Sequence, residues 1–164
     1  MRILGIDPAL TVTGYGIIDF KKNRLSLLEA GVVMISAKQT LPERLDKIYR
    51  FISKLILEIK PDVAVLEKLY VHYRHPTTAY LLGQAYGVIC LACEKENIPL
   101  VEYAATRVKK AVVGTGSASK YQIQRMVANI LNLDRLPKYM DITDALALAI
   151  AHSYIVKIQI PKAN

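Results

Sequence analysis

No apolar run in the sequence is long enough to cross a bilayer. Hydrophobic residues make up 52% of the chain, but they come in short blocks. The longest, around Ala145–Val156, is interrupted by His152 and Ser153 and falls short of the roughly 20 residues that a spanning helix needs. The opening MRILGID lacks the architecture of a signal peptide, because Asp7 and Pro8 cut its apolar stretch early. A soluble, cytoplasmic protein is expected. Internal repeats, low-complexity stretches and linkers are also missing, which predicts one domain over residues 1–164. Cysteine is scarce. Cys90 and Cys93 form a lone C-x-x-C in an apolar stretch; a zinc ribbon needs a second pair, and no strand-turn context for a redox motif precedes this one. Both are expected to be reduced core residues.

Acids are in deficit too. Lys and Arg number 22 against 14 Asp and Glu, a net charge of +8, and the sequence pI is about 9.5. This balance suits a polyanionic partner without requiring one.

What is present reads as alternating elements. Arg2 to Asp7 is a short apolar strand, Val12 to Phe20 a second and Arg24 to Ile35 a third, with Lys21-Lys22-Asn23 as a hairpin turn between the last two. From Leu41, apolar residues recur at three- and four-residue steps (Leu45, Ile48, Ile52, Leu55, Ile56, Ile59), the signature of an amphipathic helix that Pro61-Asp62 ends. Asp62 to Glu67 reads as a buried strand, Pro76 to Glu96 as a long helix and Leu100 to Tyr103 as a strand. Helices over Thr106–Val113, Ala118–Leu131 and Asp141–Val156 follow. An antiparallel meander followed by strands alternating with helices predicts an α/β fold: a mixed sheet with helices on its faces.

Four acids fall at the ends of apolar elements. Asp7 closes the first strand and Glu67 closes DVAVLE. Asp141 and Asp144 open the last helix three residues apart, on one face, ahead of an apolar run from Ala145 to Ile150. A carboxylate at a core edge is costly to desolvate unless something neutralises it, and few basic residues are neighbours of these four in sequence. A divalent cation would neutralise a cluster of them: Mg²⁺ takes oxygen ligands and keeps waters for phosphates, and a pair of ions can activate a water and stabilise a leaving oxygen. Each acid also has a plainer reading, as a turn residue before proline or as a helix cap.

The basic residues are concentrated. Ala104–Arg125 contains no acid but holds Arg107, Lys109, Lys110, Lys120 and Arg125 around a Gly114-Thr115-Gly116-Ser117 loop. A second acid-free run, Lys68–Cys93, opens with Tyr70, His72, Tyr73, Arg74 and His75. Charge for a backbone and planes for bases are what distorted nucleic acid needs; a solvated basic face and a polar loop are the alternatives. The glycine loop lacks the Gly-Lys-Ser/Thr ending of a P-loop. His152 reads as a packed helix histidine, and His72/His75 lack a third soft ligand.

GIDPALTVTGYGIID, DVAVLEKLY, YAATRVKKAVVGTGSASKYQIQRMV and DITDALALAIAH, in that order and over nearly the whole chain, resemble the bacterial RuvC Holliday junction resolvases. The resemblance implies an RNase H-like fold and an acidic tetrad of Asp7, Glu67, Asp141 and Asp144 holding two Mg²⁺ ions, with Mn²⁺ able to substitute. It also implies Lys109 and Lys120 at the scissile region and Tyr70 stacking at an opened junction centre. Arg74, Arg107 and Lys110 are further candidate DNA contacts. A homodimer acting on four-way junction DNA is implied, with the apolar helix from Thr77 to Cys93 either its interface or monomer core; a branch-migration motor is an expected partner. The sequence departs from the family at Ala9, where glycine is usual after Asp-Pro; at Lys68, beside the catalytic glutamate; and at Tyr70, where phenylalanine is more familiar.

Overall fold

A computed structural model describes residues 1–69 and 76–159. Its centre is a five-stranded mixed sheet of β1 (Arg2–Asp7), β2 (Val12–Lys21), β3 (Arg24–Met34), β4 (Val63–Glu67) and β5 (Leu100–Tyr103) in the order β3-β2-β1-β4-β5. β1, β2 and β3 form the antiparallel meander, closed by a two-residue turn at Lys22 and Asn23, both at positive φ as a hairpin of this twist requires. β4 and β5 add parallel to β1.

Among the described residues five helices pack around the sheet: α1 (Leu41–Ile59), α2 (Pro76–Lys95), α3 (Ala105–Val113), α4 (Lys120–Ile130) and α5 (Met140–Gln159). Side-chain alternation along the strands divides the core. Leu4, Ile6, Tyr15 and Ile17 face α1 and α2, whereas Ile3, Ile18, Val63 and Val65 face α3, α4 and α5. The amphipathic helix expected from Leu41 forms as α1. The Glu43 carboxylate accepts hydrogen bonds from the backbone N–H and hydroxyl of Thr40, at 2.7 and 2.8 Å, and Lys60 ends the helix in the left-handed region. α3 ends at Gly114, whose φ of 94° is the conformation glycine permits. α4 starts on a capping box between Ser119 and Gln122. The segment from Gly114 to Ser117 thus joins two helices, and Gly114 is explained by its backbone.

Cys90 and Cys93 are free thiols on α2, and burial pushes the Cys93 thiol up to about 12. His152 is buried, with Nδ1 2.9 Å from the Tyr103 hydroxyl. No helix among the described residues is long and apolar enough to cross a membrane.

Candidate active site

Register brings the first two acids together. β1 and β4 are parallel neighbours with Ile6 opposite Leu66, so Asp7 and Glu67 leave the sheet side by side at the same end. Parity then decides their face. Asp7 follows Ile3 and Gly5, and Glu67 follows Val63 and Val65, all on the side covered by α5.

The other two acids arrive because α5 lies on bare backbone. A Cβ at Gly5 would stand 1.9 Å from the Ala145 carbonyl oxygen, one at Gly14 2.2 Å from the Asp141 carbonyl oxygen, and one at Gly16 2.5 Å from Leu146 Cδ2. Three glycines on one face of β1 and β2 therefore form a trough for the first turns of α5. Gly14 also pairs with Asp7 across the strands, which sets Asp141 and Asp144 over Asp7. These glycines were missed as site-builders in the sequence, although their alternation in GID…TGYG (Gly5; Gly14, Gly16) is a signal for close backbone approach.

The resulting cavity measures 320 Å³; Asp7, Glu67, Asp144, Lys109 and Lys120 supply its charge, with Leu69, Leu82, Val108, Ile123 and Leu148 among its apolar wall. Burial first, and then repulsion from Asp144, Asp141 and Glu67, pushes the Asp7 carboxyl up to about 7 against the opposing pull of Lys120. Glu67 is raised by burial and by Asp144, while Lys109 and Lys120 oppose. Asp144 is likewise raised chiefly by burial; Lys120 opposes, with its ammonium 3.7 Å from Oδ2. The counter-charge that sequence neighbours did not offer thus comes from α3 and α4, one lysine each. It is incomplete, since three carboxyls remain above their ordinary range.

Among the described residues, no three acidic, histidine or cysteine side chains converge closely enough to enclose a cation. The donors nevertheless fit a hard divalent ion in kind. They are carboxylate oxygens that repel one another, half-buried beside open space, and an ion would relieve the raised protonation of Asp7.

Not every predicted residue reaches the cavity: Asp141 acts on Asp7 electrostatically but is not part of the lining. Arg107 is exposed on α3 with its guanidinium carbon 5.1 Å from the centroid of Tyr103, and Lys110 is exposed beyond it; neither lines the cavity. Tyr70, His72, Tyr73, Arg74 and His75 lie outside the described residues. The two described departures are accommodated. Ala9 avoids positive φ because buried Thr13 closes the turn, its hydroxyl accepting from the Ala9 N–H at 3.2 Å and donating to the Ala9 carbonyl at 2.6 Å. Lys68 is exposed, and its N–H donates to the Tyr103 carbonyl at 2.9 Å.

Residues 3–152 match the family described as crossover junction endodeoxyribonuclease RuvC. The chain belongs to the RuvC family. A RuvC from Alkaliphilus oremlandii is 44% identical over 154 residues, covering 94% of this chain and 93% of that protein. The structure of Thermus thermophilus RuvC superimposes with a TM-score of 0.89 at 29% identity, covering 97% of both chains. The T. thermophilus RuvC in complex with its Holliday junction substrate gives 0.87 at 28% identity, covering 96% of both. The mixed sheet is thus the RuvC fold, and the RNase H-like expectation holds.

Proposed function

We infer that this chain is a divalent-metal-dependent endonuclease that resolves four-way DNA junctions by paired nicks, as a single nuclease domain acting within a homodimer in the cytoplasm. The observation that carries this reading is the cavity in which Asp7, Glu67 and Asp144 face Lys109 and Lys120. Acids of this kind suit metal ions, and ammonium groups beside them suit phosphate oxygens. RuvC homologues and the junction-bound relative support DNA as the substrate.

Asp7, Glu67, Asp141 and Asp144 would hold Mg²⁺, two ions being the count that the likeness to RuvC implies, or Mn²⁺ in its place. When bound, such ions supply the charge that lowers the pKa of a water and stabilises a leaving oxygen. The protein contributes the rest. Lys120, already drawn to Asp144, and Lys109 in the same cavity lining neutralise the scissile phosphate and hold it over the acids. The leucine and valine side chains of the lining limit water around those charges and strengthen them. Hydrolysis places the phosphate on the 5′ side and leaves a 3′-hydroxyl.

Two symmetric cuts need two sites related by a two-fold axis. α2 offers the surface for it. Its inner side buries Ala85, Ile89, Ala92 and Cys93, whereas Tyr80, Leu81 and Leu91 are exposed. Gly83 and Gly87 have nothing within 4 Å of where a Cβ would stand. An apolar stripe with open glycines suits a second copy of α2 in close approach.

The deciding experiment compares a synthetic four-way junction with a matched linear duplex, in Mg²⁺ and in EDTA, for the parent chain and Asp7→Asn. Paired Mg²⁺-dependent nicks in the junction, lost in the variant while junction binding survives, are expected. Binding without nicking across several sequences and metals would sink the nuclease reading and leave a junction-binding protein.

A further inference from the structure

We propose that the outer face of α4, with the loop packed against it, is a second DNA contact on which Tyr121 stacks an unpaired base next to the nucleotide being cut. This rests on the junction-nuclease reading above and adds to it a surface that the acidic cavity does not include.

α4 is two-sided. Ile123 and Val127 are buried, while Tyr121 and Arg125 are exposed one turn apart on the outer side, with Lys120 and Gln124 at its border. Tyr121 is 59% exposed, which leaves its ring open to a planar partner. Arg125, one turn on, carries its guanidinium carbon 5.9 Å from the Tyr121 centroid. The Gln124 amide donates to the Pro137 carbonyl at 3.0 Å and so ties the following loop to this face. On that loop Lys138 Nζ lies 5.5 Å from the centroid of Tyr139, two residues before Asp141. A second cation–tyrosine pair thus lies on the loop tied to α4, and α4 itself contains no acid.

The patch is continuous with the cavity. Lys120 lies 3.7 Å from Asp144, and Tyr121 is the next residue, with consecutive Cα atoms about 3.8 Å apart. A strand whose scissile phosphate rests at Lys120 and which continues round α4 would pass the exposed Tyr121 ring, with Arg125 one turn on for the phosphate beyond. A ring plane beside a guanidinium is the combination that binds single strands by stacking and charge together. Bases inside a duplex have both faces covered, so the base must come from a strand opened at the cut.

The test measures junction affinity in EDTA, and cleavage in Mg²⁺, for the parent, Tyr121→Ala, Tyr121→Phe and Arg125→Ala. Each is assayed on junctions carrying a single abasic site scanned across the nucleotides flanking the nick. Tyr121→Ala is expected to weaken binding about tenfold and Tyr121→Phe to match the parent. The loss should vanish on the one junction whose abasic site removes the stacked base. Parental behaviour of Tyr121→Ala on every junction overturns the proposal while leaving the nuclease reading intact. So does an equal loss on all abasic junctions, which would mean that the ring serves the fold. A parent chain that neither binds nor cuts junctions removes both.

Discussion

α2 and α5 look alike in the sequence and behave oppositely in the structure. Each spans 20 residues and each is largely apolar. Neither shows the clear two-faced pattern of α1. Yet every residue of α5 from Ala145 to Ala151 is buried, whereas α2 exposes Tyr80, Leu81 and Leu91. The difference lies in where the glycines are. α5 has none and settles onto Gly5, Gly14 and Gly16 of the strands beneath it; α2 carries its own, Gly83 and Gly87, and they meet nothing. A helix that is apolar all round must find partners all round. α5 finds them within the chain, between sheet and outer helices; for α2 the partner we propose is a second copy.

Breaking the α5 side should have the largest effect. At Gly5→Ala the added methyl meets the Ala145 carbonyl at 1.9 Å, and backbone gives way less readily than a side chain. We expect a loss of about 3 kcal/mol or more in unfolding free energy. Cleavage should fall further than stability alone explains, because α5 carries Asp141 and Asp144. Denaturant unfolding alongside Mg²⁺-dependent nicking checks both. A variant with unchanged stability would show that α5 does not rest on this glycine.

Removing one acid tests what that docking is for. Asp7→Asn should slow junction cleavage by at least about a thousandfold, the several kcal/mol expected when metal charge stabilisation is lost, while binding to the basic surface survives. Gel-resolved nicking and binding in EDTA separate the two effects.

The same residue predicts a pH dependence. The Asp7 carboxyl sits at about 7 against an ordinary 3.8, so the folded chain holds that proton more tightly than the unfolded one. Its contribution is fully present below pH ~4 and is lost as pH rises through about 7, by up to roughly 4 kcal/mol. Glu67 and Asp144, also raised, act in the same direction. Without metal, the stability of the parent should therefore decline relative to Asp7→Asn between these pH values, and Mg²⁺ should recover part of the decline. Parallel curves for the two proteins would mean that the carboxyl is not held protonated by its neighbours.

How much of this the sequence showed follows from what each feature needs. Asp7 and Glu67 were legible because a strand's apolar run ends visibly at a carboxylate. Asp141 and Asp144 were legible because three-residue spacing fixes a helix face. Element boundaries also came out close, since caps and turns are local chemistry; α3 began one residue earlier than expected, and α4 two residues later, after its Ser119 cap. Contacts between distant segments were not legible. The trough under α5, the Lys120–Asp144 pair and the Thr13 hydroxyl that replaces glycine's freedom at Ala9 join residues far apart or fill a gap that only the folded turn defines. Nothing in the sequence marks Tyr121; only the folded helix sets Arg125 over its ring.

The smallest effect should come from α2, and its sign is what matters. Gly87→Ala adds a methyl where nothing stands within 4 Å. In an isolated monomer it should therefore help, by about 0.8–1 kcal/mol, through helix propensity and a less flexible unfolded chain. If two α2 helices meet across that glycine, the same methyl forces them apart and weakens the dimer. Thermal unfolding at high dilution should thus show a slightly more stable chain, while sedimentation equilibrium shows a weaker self-association. A variant that gains stability and associates as tightly as the parent would place the interface elsewhere. It would leave the exposed stripe of Tyr80, Leu81 and Leu91 without the second copy that we assign to it.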